Sequence, residues 1–158
     1  MSKKILAFVI VCMTLLTSSR YITPGDAREG TPAPSLSVGD DNHSLSLEQL
    51  RGAYVLVTFW SSVNPESRMA CKQHDLAAAS SPKLHHLAVN LDRSKGLFDQ
   101  LVVADQLHSE SQFHLDADRH DEVTLAWRQQ QGAYSSFLID PDGKIAKVNP
   151  TDADLAQI

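Results

Sequence analysis

Cysteine is nearly missing from this chain: its 158 residues contain two, Cys12 and Cys71. Cys12 lies in an apolar stretch at the N-terminus, so the remainder has one thiol and cannot close a disulfide within itself. Its core must hold without a covalent staple. Positive charge is also short, with 14 Lys and Arg against 19 Asp and Glu and a net charge of -5. Phosphate backbones are bound by clustered Lys and Arg, so nucleic acid is excluded as a partner. Zinc-type CxxC or HExxH spacing is absent, and no internal repeat or low-complexity tract is present. Nor is any apolar run as long as the roughly 20 residues that cross a bilayer as a helix.

What the N-terminus does have is the layout of a secretory signal. Met1 to Lys4 is short and basic, Ile5 to Leu16 is apolar apart from one Thr, and Thr17, Ser18 and Ser19 are small residues at a cleavable position. Cleavage after Ser19 removes Lys3 and Lys4 and no acid, which takes the net charge from -5 to -7. Ala27 is a second possible cut, and retention of the segment as an N-terminal membrane anchor is the alternative. Cys12 does not fit lipid attachment, because Val11 precedes it and the apolar run continues past it. The expected location is therefore outside the cytoplasm, in the periplasm or cell envelope, with membrane contact only if the signal stays attached.

Tyr21 to Pro34 has three prolines, two glycines and no periodicity, and it reads as a connecting segment. We place a signal at 1–19, a linker at 20–30 and one domain at 31–158, a length that suits a single core. Ser35–Val38 and Asn42–Ser46 flank Gly39-Asp40-Asp41 as a small hairpin, and Leu47 to Leu50 forms a helical turn stopped by Gly52. Tyr54–Trp60 is β-branched and aromatic, as in a strand buried on both faces. Asn64 and Pro65 then form a helix start, and the helix runs to about Ala79. Leu84–Asn90 is a second strand at βαβ spacing. Further helices are expected at Leu97–Ala104 and Asp121–Gln129, with Asp121 as cap, and an extended piece at Gln112–Leu115. Ser135–Ile139 and Ile145–Val148 pair across Asp140-Pro-Asp-Gly143, and Asp152–Ile158 closes the chain. This order specifies an α/β fold: a mixed central β-sheet flanked by helices, with an N-terminal β-hairpin extension.

Three stretches, "LSLEQLRGAYVLVTFWSS", "QFHLDADRHDEVTLAW" and "SSFLIDPDGKIAKV", together with the entry segment "EGTPAPSLSV", resemble the exported thioredoxin-like thiol-disulfide oxidoreductases of the TlpA/ResA type. The resemblance spans Gly30 to Ile158 and implies the thioredoxin fold. In that family a Cys-x-x-Cys opens the helix after Phe59-Trp60, where the helix terminus stabilises the attacking thiolate. The matching positions here are Asn64 and Ser67, which cannot support dithiol exchange. The cis-proline that faces the dithiol is replaced by Tyr134, so a trans peptide is expected there. Thr58 occupies the strand position at which thioredoxins proper bury an acid.

The resemblance thus implies a divergent member that has lost dithiol exchange, and an accessory module binding a peptide or protein in the envelope through Trp60, Val63, Asn64, Glu66, Ser67 and Tyr134. The alternative is an oxidoreductase or redox sensor acting through Cys71 alone; against it, a lone helical cysteine seven residues past Asn64 is expected to be a buried packing residue. No cofactor is expected. His85 and His86 point to opposite faces of their strand, and the His114, Asp116, Asp118, His120, Asp121 segment reads as a solvated acidic turn, so no metal site is expected. A hydrolase on Ser67 would need His74 within reach, and seven helical residues put it about 10 Å away.

Overall fold

The computed structural model describes residues 27–39, 44–130 and 133–158. The expected signal peptide lies outside the described residues, as do Asp40 and Asp41 of the first turn. β1 (Ser37–Gly39) and β2 (Ser44–Ser46) form an antiparallel hairpin, followed by a 3-10 turn at Leu47–Leu50. A five-stranded sheet is built from β3 (Tyr54–Trp60), β4 (Leu84–Asn90), β5 (Gln112–His114), β6 (Ser136–Ile139) and β7 (Ile145–Val148), in the order β5-β4-β3-β6-β7. β3, β4 and β5 run parallel, while β6 is antiparallel to β3 and to β7. The helices are α1 (Pro65–Ser80), α2 (Lys95–Ala104), α3 (His120–Ala126) and α4 (Asp152–Leu155).

Alternation along β3 divides the interior in two. Val55, Val57 and Phe59 join Leu87, Val89, Trp127 and Phe137 in one cluster, where the Trp127 ring lies 5.6 Å from Phe59 and 5.0 Å from Phe137. Leu56, Thr58 and Trp60 face the other way, toward α1 and α2. There Trp60 packs with Cys71, Ala88, Phe98 and Val102, and Leu56 with Leu84, Leu138 and Leu155. The register pairs Leu56 with His86 and Thr58 with Ala88, so His86 and Thr58 share that second face.

Several element ends depart from expectation: β1 includes Gly39, expected in the turn, and α2 begins at Lys95, two residues before Leu97. Ala27 is buried, and Gly30 N–H donates to the Ile145 carbonyl at 2.8 Å. α3 begins at His120 and stops at Ala126, with no side-chain cap, so Asp121 sits in its first turn instead of capping it. Burial of Trp127 against Phe59 and Phe137 fixes that end, and Arg128 turns the chain away with φ +53°. The β6–β7 turn uses Gly143 at φ +76°, a value that favours glycine.

Candidate functional site

The chain leaves β3 into a loop held by one buried carboxylate. Asp92 accepts from Ser61 Oγ at 2.7 Å, Ser62 N at 2.9 Å, Ser62 Oγ at 3.0 Å and Asn90 Nδ2 at 2.9 Å. Burial alone would raise its pKa; these donors outweigh burial and hold it below the usual range. α1 then starts with a complete local cap. Asn64 Oδ1 accepts from Ser67 N at 2.7 Å, and Pro65 occupies a first-turn position where its missing N–H has no cost. Ser67 Oγ donates to the Asn64 carbonyl at 3.0 Å and accepts from Ser61 N at 3.2 Å. The helix terminus is therefore closed on itself. It holds no thiol, and its hydroxyl is already bonded on both sides.

Beside this terminus runs a groove of about 290 Å³ between α1 and the segment leading into β6. Asn64, Glu66, Ser67, Gln73 and His74 line it from α1 and its cap, and Tyr134 lines it from across the groove. Four residues expected at a binding surface thus meet here: Asn64, Glu66, Ser67 and Tyr134. The other two do not. Trp60 is fully buried, 6.1 Å from the Phe98 ring, because alternation sends it away from Phe59, which does line the groove. Val63 is 81% exposed and lies outside the lining. No peptide bond among the described residues is cis, that before Tyr134 included.

Cys71 is fully buried, with Gln112 Oε1 3.5 Å from Sγ. Burial, reinforced by the nearby Asp75 charge, pushes its thiol pKa well up, the reverse of what a nucleophilic thiolate needs. The Ser67 hydrolase geometry is absent as well: the Ser67 hydroxyl proton goes to the Asn64 carbonyl, not to His74, whose Nδ1 meets Thr58 Oγ1 at 2.9 Å. His85 is exposed and His86 buried, on opposite faces of β4. Among the described residues, no three His, Cys, Asp or Glu side chains gather as metal ligands.

The sequence reading missed a buried polar chain beneath α1. Thr58 Oγ1 contacts His74 Nδ1 and also His86 Nε2, the latter at 3.1 Å. His86 Nδ1 faces Asp75 Oδ1 at 3.5 Å, and Asp75 Oδ2 meets His108 Nδ1 at 2.8 Å. Burial and the neighbouring His86 lower the His74 pKa to about 4, against a small opposing pull from Asp152. Burial also lowers His86, more than Asp75 raises it. For Asp75 burial acts upward, yet the neighbouring His86 and bonds from His108 and Ser111 keep it well below the usual carboxylate range. The signal was present in α1: Ser67, Cys71, His74 and Asp75 recur at helical spacing on the face that packs against the sheet.

No family model and no curated protein matches the sequence. Solved structures do. A thioredoxin-like protein from Parabacteroides distasonis superposes with a TM-score of 0.71 at 27% identity, covering 85% of this chain and 96% of its own. The thioredoxin domain of a thiol-disulfide oxidoreductase from Bacteroides vulgatus gives 0.69 at 25% identity, covering 82% and 94%. A thiol:disulfide interchange protein from a Bacteroides species gives 0.69 at 25% identity, covering 82% and 86%. The chain is a thioredoxin-fold protein whose structural neighbours are thiol-disulfide oxidoreductases, and it is a divergent one, with a single buried cysteine among its described residues.

Proposed function

We propose that this protein is an exported thioredoxin-fold module that has given up dithiol exchange and binds an extended peptide segment of a partner protein through the groove between α1 and Tyr134. The observation that carries this reading is the closed start of α1, where Asn64 accepts the Ser67 amide and no thiol is present. Exchange through a mixed disulfide needs an accessible thiolate, and Cys71 is buried. The groove persists without that chemistry and presents amide, carboxylate and hydroxyl groups beside an aromatic ring, a surface suited to an extended backbone. The signal-like N-terminus supports export to the cell envelope, where the partner would reside.

Two measurements on the purified protein test the reading. Dithiothreitol-driven insulin reduction should run at the background rate. Addition of reduced, carboxymethylated α-lactalbumin, a permanently unfolded chain, should shift the amide resonances of Asn64, Ser67, Gln73 and Tyr134. Insulin reduction that vanishes in Cys71→Ser would instead establish single-cysteine redox activity, and an unmoved groove would remove the binding role.

A further inference from the structure

The polar chain beneath α1 has a direction. Thr58 has one hydroxyl proton, yet its oxygen is within hydrogen-bond distance of His74 Nδ1 and His86 Nε2, at 2.9 and 3.1 Å. A hydroxyl donates once and accepts through its lone pairs, so at most one of these nitrogens can accept from Thr58, and the other must donate to it. The far nitrogen of His86 decides which. His86 Nδ1 is buried, faces the Asp75 carboxylate at 3.5 Å and has no hydrogen-bond partner among the described residues. Asp75 is held as an anion by Ser111 Oγ at 2.8 Å and His108 N at 3.1 Å, and an anionic carboxylate can only accept. The proton of His86 therefore sits on Nδ1, and its Nε2 is a bare lone pair that takes the Thr58 hydroxyl. The Thr58 oxygen is then left to accept from His74 Nδ1–H. A neutral imidazole carries one N–H, so His74 Nε2, the nitrogen not committed to Thr58, is unprotonated.

His74 lines the groove. We infer that Asp75, His86 and Thr58 fix the tautomer of His74, so that its Nε2 stands on the groove wall as a hydrogen-bond acceptor and selects a ligand that offers an N–H, as the backbone of an extended peptide does. This rests on the groove-binding reading and gives it a specificity-determining residue. The side-chain amides of Asn64 and Gln73 carry donors on the same wall, whereas an unprotonated ring nitrogen, like the Glu66 carboxylate, only accepts. Burial of both rings keeps them neutral, as the relay requires.

Long-range proton–nitrogen correlation spectra of the uniformly ¹⁵N-labelled full chain at neutral pH read the tautomer directly. The expected result is a protonated-type Nδ1 and an unprotonated-type Nε2 at His74. In Asp75→Asn, the amide oxygen can keep the His108 N–H bond while the NH₂ group turns a donor toward His86 Nδ1. Every link then reverses, and His74 should carry its proton on Nε2. Thr58→Ser should keep the wild-type pattern, and Thr58→Val should lose the fixed tautomer with the amide spectrum otherwise folded. Titration with reduced, carboxymethylated α-lactalbumin should move the His74 Nε2 resonance along with the groove amides. His74 protonated on Nε2 in the wild type, or groove amides that move while Nε2 does not, overturns the inference. A wild-type Nδ1–H tautomer with no groove shift at all overturns the binding reading and the recognition role, and leaves the relay standing.

Discussion

Asn64 Oδ1 lies 2.7 Å from the Ser67 amide nitrogen, and the two residues that close the α1 N-terminus on each other are those that the resemblance in sequence sets against a Cys-x-x-Cys. The cap spends the donor that would otherwise be free to stabilise an anion. Asn64→Ala should therefore cost about 1 kcal/mol in urea unfolding, the usual price of a lost N-cap. Asn64→Cys should lose part of that stability and create a thiol that ionises below the ordinary value of about 8.5. Thiolate absorbance against pH checks it; an ordinary titration would mean that the terminus no longer favours an anion.

Cys71 is packed behind α1 with Trp60, Ala88, Phe98 and Val102. Alkylation of the native protein at neutral pH should be negligible and should become fast once denaturant opens the core. Cys71→Ala should lower stability by about 1 to 2 kcal/mol, the range for a small buried deletion, and leave groove binding intact. Fast native alkylation would return the lone thiol to contention as a nucleophile.

The strands and the start of α1 were legible because each carries a local cause. Tyr54–Trp60 and Leu84–Asn90 are short β-rich runs at crossover spacing, and Asn64-Pro65 is a cap followed by a residue pre-set for a helix. The groove was half legible. Asn64, Glu66 and Ser67 follow from the helix start, but Trp60 was assigned to the surface because its true neighbour, Phe98, lies on α2, and nothing local names that contact. The relay was missed for a similar reason. His74 and Asp75 sit on α1, Thr58 on β3 and His86 on β4, so their meeting depends on the β3–β4 register that pairs Leu56 with His86. Alternation alone gave the face of His86 and not its partners.

Stability should fall as pH drops from about 6.5 toward 4. In the native state His74 titrates at about 4, facing His86 of β4 and Asp152 of α4, while the unfolded chain binds protons near 6.5. The unfolded state therefore gains protons first, and native stability declines through this window by roughly 3 kcal/mol at its lower end from His74 alone. His86 is lowered as well and adds in the same direction. His108 opposes them: Asp75 raises its pKa, so its contribution is present below about 6.5 and is lost as pH rises through the folded value. Urea midpoints at pH 7 and pH 4.5 should show the net loss, His74→Gln should flatten it and His108→Gln should steepen it. A midpoint that does not fall would mean that the relay histidines are charged in the fold.

Asp92 holds the groove's end in place from beneath. Its carboxylate collects Ser61, Ser62 and Asn90, and Ser61 in turn donates its backbone N–H to Ser67 Oγ, so the carboxylate and the α1 cap form one connected unit. Asp92→Ala removes the shared acceptor and strands several donors, each worth about 1 to 3 kcal/mol when buried without a partner. Solvent entry relieves part of that, and the expected cost is roughly 2 to 4 kcal/mol. Asp92→Asn keeps one oxygen and should fall between that variant and the wild type. Because the bonds are concentrated on residues 61 and 62, the damage should be local before it is global. Native-state hydrogen exchange at Ser62 should accelerate by more than exchange in β3 or β4, and groove binding should weaken with it. Equal acceleration throughout would make Asp92 a general stabiliser of the fold and separate it from the shape of the groove.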